Sequence, residues 1–167
     1  MAGERSDERP LPPVTIYTDG ACLGNPGPGG YGAVLLHGEK RREISGGYRL
    51  TTNNRMEIMA CIAALEALKK PCGVTLHSDS QYVVNSVSRG WAAKWKAKGW
   101  MRTPKDKAVN PDLWDRLLDL CRKHQVEFRW VRGHNGTAEN ERCDRLAVEA
   151  ANSPGLAPDP GYAGKLR

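Results

Sequence analysis

The chain has 167 residues, a formal net charge of +6 and a hydrophobic fraction of 40%. This length suits one domain with an ordinary core, and no apolar run approaches the length of a membrane span. The first residues, MAGERSDERPLPP, lack the apolar stretch that a signal peptide needs. Five cysteines without a CxxC pair favour free thiols over disulfides or a zinc site. We therefore expect a cytoplasmic protein with no membrane anchor.

The first predicted elements are three strands with short connections. VTIYTD (14–19) alternates in the manner of a half-buried strand, and GYGAVLLHG and KRREISGGYRL follow on either side of a turn at Gly38. Such short connections imply an antiparallel meander. Residues 1–13 and 152–167 are polar and proline-rich, so we expect flexible tails on either side of a domain at 14–151.

The remainder of the chain alternates between helices and strands. The predicted helices cover 52–70, 80–90, 111–124 and 139–151, and the predicted strands cover 74–79 and 126–134. Strands that are joined through helices are parallel to one another and, here, to the first strand. The pattern therefore predicts an α/β fold in which helices flank a mixed sheet.

A glycine-rich segment, GNPGPGGYG, follows the first strand. Gly27 to Gly32 formally matches GxGxxG, which indicates dinucleotide binding only when a helix follows. The residues that follow here, AVLLHG, have the pattern of a strand. We therefore interpret the segment as a connection between two antiparallel strands.

Four carboxylates are candidate functional residues, although each also has an ordinary structural interpretation. Asp19 ends the first strand and could be a turn aspartate. Asp79 ends the strand 74–79 and could cap the next helix, while Glu57 has capping-box spacing to Asn54. Asp144 borders the apolar stripe of the last helix and could be a solvated boundary residue.

Taken together, the four carboxylates favour a metal site. Asp19 and Asp79 meet at one sheet edge if their strands are parallel neighbours, at the switch point where open α/β sheets bind ligands. Carboxylates without histidine or cysteine ligands suit a hard divalent cation such as Mg²⁺. Two such ions can activate a water and stabilise the leaving oxygen in phosphodiester cleavage.

A basic segment, RGWAAKWKAKGWMRTPKDK (89–107), holds seven basic residues and one acid. Trp91, Trp95 and Trp100 are interleaved with the lysines, which makes the segment a poor core element. Lysines bind phosphates and indoles stack on bases, so we expect this Lys–Trp segment to bind nucleic acid. Trp91 and Trp95, one helical turn apart, could form one platform.

The sequence resembles the catalytic domain of bacterial type 1 ribonucleases H over roughly residues 14 to 151. The matching stretches are YTDGACLGNPGPGGYGAV, TTNNRMEIMACIAALEAL, SDSQYV, the Lys–Trp segment with NPDLW, and WVRGHNGTAENERCDRLA. The resemblance implies a ribonuclease H-like fold with a five-stranded mixed sheet, in which an antiparallel meander adjoins parallel strands. It departs from the family at Thr137, where close bacterial relatives often carry a second histidine.

The resemblance also implies roles for individual residues. In that family, four acids bind two Mg²⁺ ions, or Mn²⁺ in their place, and a mobile-loop histidine assists catalysis. These residues correspond here to Asp19, Glu57, Asp79, Asp144 and His134. The residues that would contact the substrate are Asn25, Asn53, Asn54 and Gln81, together with Trp91, Lys94, Trp95, Lys96 and Lys98 of the Lys–Trp segment.

The implied function is that of an endoribonuclease acting on the RNA strand of RNA–DNA hybrids. It would leave 5′-phosphate and 3′-hydroxyl ends, and we expect it to act as a monomer. Two alternatives on the same fold are a non-catalytic hybrid-binding module and a DNA nuclease or integrase. Four converging carboxylates argue against the first, and the asparagine pair with the Lys–Trp segment argues against the second.

Overall fold

A five-stranded sheet forms the centre of the computed structural model, which describes residues 10–133 and 137–162. The strands are β1 Pro13–Cys22, β2 Gly27–His37, β3 Lys40–Thr51, β4 Gly73–Ser78 and β5 Gln125–Trp130, in the spatial order β3-β2-β1-β4-β5. β2 is antiparallel to both β1 and β3, whereas β4 is parallel to both β1 and β5. This topology confirms the predicted meander with added parallel strands.

Five helices lie in the part of the chain that is described. They are α1 Asn53–Glu66, α2 Gln81–Ser88, α3 Trp91–Ala97, α4 Pro111–Lys123 and α5 Ala138–Ala151. α3 lies within the Lys–Trp segment, and the other four match predicted helices. Across residues 10–133 and 137–162, none of the helices is both long and apolar enough to span a bilayer.

The two faces of the sheet bury different sets of side chains. One face, which includes Ile16 and Leu76, packs against α1 and α4 in the main hydrophobic core, where Trp114 is fully buried. The other face contributes Val34 to a smaller cluster with Cys143 and Leu146 of α5. Because strand side chains alternate between the two faces, the sheet forms a middle layer between α1 and α4 on one face and α5 on the other.

The C-terminal segment departs from the prediction of a flexible tail beginning at residue 152. The Arg49 amide donates to the Ala157 carbonyl at 2.9 Å, and the Asp159 side chain is buried. Asp159 accepts a hydrogen bond from Thr51 Oγ1 at 2.7 Å and from Arg55 Nε at the same distance. The prolines and glycines of this segment predicted a flexible chain. The contacts that hold it could not be predicted from local sequence, because the partner residues are remote in the chain.

Candidate functional site

Parallel pairing of β1 and β4 brings Asp19 and Asp79 together. The paired register ends at Thr18 opposite Ser78, so the two aspartates occupy the next position on each side. β1 continues to Cys22 in its pairing with β2, and Asp19 therefore lies within a strand and not in the turn that its Asp-Gly sequence allowed. Both carboxylates lie where the meander meets the parallel half of the sheet, as predicted.

Glu57 reaches the same position because α1 packs very close to β1 at Gly20. A Cβ on Gly20 would lie only 2.5 Å from the Glu57 amide nitrogen and 2.6 Å from the Met56 carbonyl carbon. Any side chain at this position would push α1 away from the sheet. The glycine after Asp19 therefore allows a helix-borne carboxylate to approach a strand-borne one.

Asp144 approaches from the opposite face of the sheet on α5. Gly32 pairs with Asp19 in the β1–β2 register, and a Cβ on Gly32 would lie 2.6 Å from the Cys143 carbonyl oxygen. The backbone of α5 therefore packs directly beside the position of Asp19. The charge of Asp144 is near enough to help raise the pKa of Asp19, although among the described residues the group whose oxygens lie within 4.8 Å of one another is Asp19, Glu57 and Asp79.

The acid cluster is a site of strong like-charge repulsion. Ligand oxygens of Asp19, Glu57 and Asp79 all lie within 4.8 Å of one another. Burial raises the pKa of Asp19 to about 8, and the nearby charge of Asp79 adds to this effect. Burial also raises the pKa of Glu57 well above its usual range, reinforced by the charges of Asp19 and Asp79. The cluster therefore retains protons unless a cation balances its charge.

The donor set fits a hard divalent cation. All of its ligand atoms are carboxylate oxygens, which such ions prefer. Among the described residues, Glu57 Oε1 is buried and accepts no hydrogen bond, which is costly for a carboxylate oxygen without a cation. Both observations are explained if Asp19, Glu57 and Asp79 hold a metal ion.

The side chains that cap α1 and α2 belong to other residues than Glu57 and Asp79. α1 is capped by Thr52, whose side chain accepts from the Arg55 amide at 3.2 Å. α2 is capped by Ser80, which accepts from the Val83 amide at 3.2 Å. Neither carboxylate is needed to begin its helix, which removes the main structural explanation for their presence.

The amide side chains predicted to contact substrate are exposed around this cluster. Asn25, Asn53, Asn54 and Gln81 are all solvent-accessible. Asn25 Oδ1 accepts a hydrogen bond from the Asn53 amide at 3.0 Å, which ties the glycine-rich connection to the start of α1. The glycines from Gly27 onward already lie in β2, so the connection between β1 and β2 is shorter than predicted, while the prediction of a strand in place of a helix is confirmed.

The Lys–Trp segment is mixed in its exposure. Lys94, Lys96 and Lys98 are exposed, and Lys96 Nζ lies 2.7 Å from Asp115 Oδ1 in an ion pair. The Trp91 side chain is 38% exposed, and the Arg89 guanidinium lies 6.0 Å from the centre of its ring.

The expectation that this segment makes a poor core element is wrong for two of its tryptophans. Trp95 and Trp100 pack against the main hydrophobic core, and the Trp95 ring meets Trp114 edge-on at 6.2 Å. Local sequence does not reveal this packing because the partner, Trp114, belongs to α4. Trp91 therefore remains the more accessible of the paired indoles.

His134 lies outside the described residues, but the chain that leads to it passes the acid cluster. A Cβ built on Gly133 would lie 2.9 Å from Asp79 Oδ2. The carbonyl of Asp79 also accepts a hydrogen bond from Trp130 Nε1 at 3.1 Å. Trp130 was not singled out from the sequence, because its role depends on the β4–β5 register that places it opposite Ser78.

Comparisons with known proteins point to one family. The family model described as RNase H matches residues 12–152. A curated protein named Ribonuclease H, from Syntrophus aciditrophicus, is 64% identical over 160 residues, which cover 96% of this chain and 92% of that protein.

Solved structures show the same fold. LC9-RNase H1, described as a type 1 RNase H with the type 2 active-site motif, superposes with a TM-score of 0.77 at 34% identity, covering 95% of this chain and 83% of that chain. LC11-RNase H1, solved in complex with RNA/DNA hybrid, gives a TM-score of 0.64 at 24% identity and covers 83% of this chain and 96% of that chain. At that lower identity the likeness concerns the fold alone.

Proposed function

The chain belongs to the ribonuclease H family of metal-dependent enzymes, and on this basis we propose that it hydrolyses the RNA strand of RNA–DNA hybrids using two Mg²⁺ ions. The observation that carries the proposal is the convergence of Asp19, Glu57 and Asp79, whose oxygens lie within 4.8 Å of one another. Asp144 is proposed as the fourth ligand, which is supported by the effect of its charge on the pKa of Asp19. Binding alone would not require such a concentration of buried negative charge.

The reaction adds water across a phosphodiester bond of the RNA. The water oxygen bonds to phosphorus, the bond from phosphorus to O3′ breaks, and the ends are a 5′-phosphate and a 3′-hydroxyl. Asp19, Glu57, Asp79 and Asp144 would hold the two ions, which when bound supply an activated water and stabilise the leaving oxygen. Mn²⁺ has similar ligand preferences and is the natural substitute.

Recognition of RNA falls to the exposed amides near the acid cluster. Asn25, Asn53, Asn54 and Gln81 carry both donors and acceptors, which suits contacts to 2′-hydroxyl groups across a minor groove. The hydrogen bond between Asn25 and the Asn53 amide supports a joint role because it fixes two of these residues relative to each other. DNA lacks the 2′-hydroxyl and would not make these contacts.

The Lys–Trp segment would hold a second part of the duplex. Lys94, Lys96 and Lys98 can pair with phosphates, while Trp91 and Trp95 offer apolar surface to a sugar or base. The exposure of Trp91 beside Arg89 supports the role most directly for this residue.

His134 is proposed to transfer a proton to the leaving O3′ or to assist product release. An imidazole titrates near neutrality and so suits either task. The nearness of Gly133 to the Asp79 carboxylate supports this role, because Gly133 directly precedes His134 in the chain.

Labelled duplexes test the proposed function. RNA–DNA, RNA–RNA and DNA–DNA duplexes of one sequence should be incubated with the protein in MgCl₂ and in EDTA. We expect only the RNA strand of the hybrid to be cut, and only with metal. Binding without cleavage would indicate a hybrid-binding module, and equal cutting of DNA–DNA would indicate a DNA nuclease or integrase.

We also propose that the enzyme acts as a monomer in the cytoplasm. The four acids come from one chain, so a second copy is not needed to complete the site. All five cysteines are free thiols, which suits a reducing compartment. Light scattering on the purified protein measures the oligomeric state directly.

A further inference from the structure

Arg55, at the start of α1, is a buried cation whose hydrogen-bonding capacity is completely used. Its side chain is 2% exposed. Nε and Nη2 donate to the two oxygens of Asp159 at 2.7 and 3.1 Å, while Nη1 and Nη2 donate to those of Asp112 at 3.0 and 2.7 Å. Nη1 also donates to Asn110 Oδ1 at 3.2 Å. A guanidinium has five N–H donors, and all five are therefore satisfied.

The partners of Arg55 come from two other parts of the chain. Asn110 and Asp112 belong to the cap and first turn of α4. Asp159 belongs to the C-terminal segment and also accepts from Thr51 Oγ1, at the end of β3, at 2.7 Å. We call these five residues the Arg55 junction: Thr51, Arg55, Asn110, Asp112 and Asp159.

The Arg55 junction lies between the two surfaces that are proposed to hold the hybrid. Arg55 directly follows Asn53 and Asn54 and precedes Glu57 by two residues, so it belongs to the turn of α1 that carries these groups. Asn110 closely follows the Lys–Trp segment in the chain, and α4 also carries Asp115, the partner of Lys96. One side chain thus ties the start of α1 to the helix on which the Lys–Trp segment rests.

We propose that the Arg55 junction positions the Asn53–Asn54 end of α1 relative to the Lys–Trp segment, so that both surfaces hold one duplex at the same time. This inference rests on the proposed function. Two linked binding sites strengthen binding only when the distance between them matches the ligand. The planar, fork-shaped guanidinium of Arg55 fixes both the distance and the orientation between the elements that it joins. A buried ion pair is a weak device for stability alone, because apolar residues of similar volume often do as well.

The test is the dependence of KM on hybrid length in Asp159→Asn, which keeps the shape of the side chain and removes its charge. Two hybrids are needed. The long one reaches the Lys–Trp segment, so that Lys94→Ala raises its KM, and the short one is insensitive to Lys94→Ala. Glu43→Gln is the matched control, because Glu43 also pairs with two arginines, Arg41 and Arg142, but lies on β3 outside the junction.

We expect Asp159→Asn to raise KM for the long hybrid about tenfold. This is a modest part of the 10²–10⁴-fold gain in affinity that linking two binding sites can give. The short hybrid should keep its KM, kcat should change little on either substrate, and Glu43→Gln should behave as wild type. A lower melting temperature with unchanged KM on both hybrids would contradict the proposal and leave the junction a purely structural element.

Two further measurements keep the outcome decisive. If Asp159→Asn does not fold, Asp112→Asn tests the proposal, because the Asp112 side chain is 45% exposed and its replacement frees only the α4 side of the junction. Cleavage of the long hybrid by the wild-type protein is measured first. Absence of that cleavage would refute the proposed function, whereas a length-independent effect in the variants would refute only the positioning role.

Discussion

Asp19 is the residue at which the requirements of stability and function conflict most directly. It is 5% exposed, yet its carboxyl adjoins those of Glu57, Asp79 and Asp144. An aspartate of this kind is unfavourable in its charged form unless a cation is present. Without metal, the folded protein therefore keeps Asp19 protonated up to about pH 8 and stores repulsion at this residue only at higher pH, and a bound cation relieves that repulsion.

Because of this repulsion, the difference in stability between wild type and Asp19→Asn should depend on pH. The pKa of Asp19 is raised from 3.8 to about 8, so the contribution of this group to stability is complete below about pH 4 and is lost as the pH rises through 8. In EDTA at pH 9, Asp19→Asn should therefore melt higher than wild type, by about 2–4 °C for each kcal/mol relieved. Thermal unfolding followed by circular dichroism at pH 4 and pH 9 measures this difference.

The same experiment contains its own control. MgCl₂ at pH 9 should raise the melting temperature of wild type much more than that of Asp19→Asn, because the variant has one negative charge fewer and only a neutral amide oxygen at this position. Equal melting temperatures of the two proteins in EDTA at both pH values would contradict the account of stored repulsion.

His134 should matter for turnover more than for binding. General acid–base assistance contributes typically 10²–10⁴-fold, and we expect the lower end here because the metal site supplies most of the activation, so His134→Ala should lower kcat about 10²-fold. KM for the hybrid should change little. Steady-state kinetics against wild type measures both quantities, and an unaltered kcat would make His134 an ordinary surface residue.

At the scale of elements, α3 and the residues after it combine a structural and a binding role. Ala92 is buried and Trp95 packs edge-on against Trp114, while Trp91 and the lysines remain accessible. One side of α3 thus packs against the core, and the other side is exposed to solvent. Its two tryptophans, one turn apart, should consequently respond differently to substitution.

Replacing each tryptophan by alanine separates the two roles. Trp91→Ala should weaken hybrid binding by about 1–3 kcal/mol with little change in melting temperature, because its indole is exposed. Trp95→Ala should lower the melting temperature clearly, because it removes an aromatic contact with the core. Fluorescence anisotropy with labelled hybrid and thermal unfolding give the two readouts, and identical behaviour of both variants would contradict the division.

Most elements could be predicted from the sequence because their signals are local. The alternation in VTIYTD and the helical spacing of Met56, Met59 and Ile62 both correspond to observed elements. The parallel pairing that joins Asp19 to Asp79 followed from the helices between the strands. The position of the site could therefore be predicted from where the strands end and from the rule that strands joined through a helix are parallel.

Other features could not be predicted because they depend on remote partners. Asp159 is buried by Arg55, 104 residues earlier in the chain, and a proline- and glycine-rich segment gives no sign of such a partner. The cap of α1 is Thr52, although Asn54 with Glu57 also fits the spacing of a capping box. Where two local patterns overlap, the tertiary position of the helix decides which is used.

At the scale of the whole molecule, charge is distributed unevenly. The chain carries a formal net charge of +6, while its acid cluster concentrates negative charge at the switch point of the sheet. A polyanionic duplex would be attracted to the basic surfaces and repelled by the acid cluster unless metal is bound. Binding should therefore depend on both salt and divalent cation.

Salt dependence can identify the lysines that bind phosphate. Removing one lysine–phosphate pair should reduce the slope of log Kd against log salt concentration by about 1. Lys94→Ala should show this reduction more fully than Lys96→Ala, because Lys96 already pairs with Asp115 at 2.7 Å. Titrations at several salt concentrations give the slopes, and unchanged slopes in both variants would argue against phosphate binding by α3.

The central claim is that the acid cluster is the catalytic metal site of a ribonuclease H, and Asp79→Asn tests it most directly. This variant keeps the shape of the side chain and removes a charge that the ions need. The measurement is cleavage of a labelled RNA–DNA hybrid in MgCl₂, with binding of the same hybrid followed in parallel. We predict that cleavage is abolished while binding is retained. Cleavage by Asp79→Asn at a rate near that of wild type would contradict the claim.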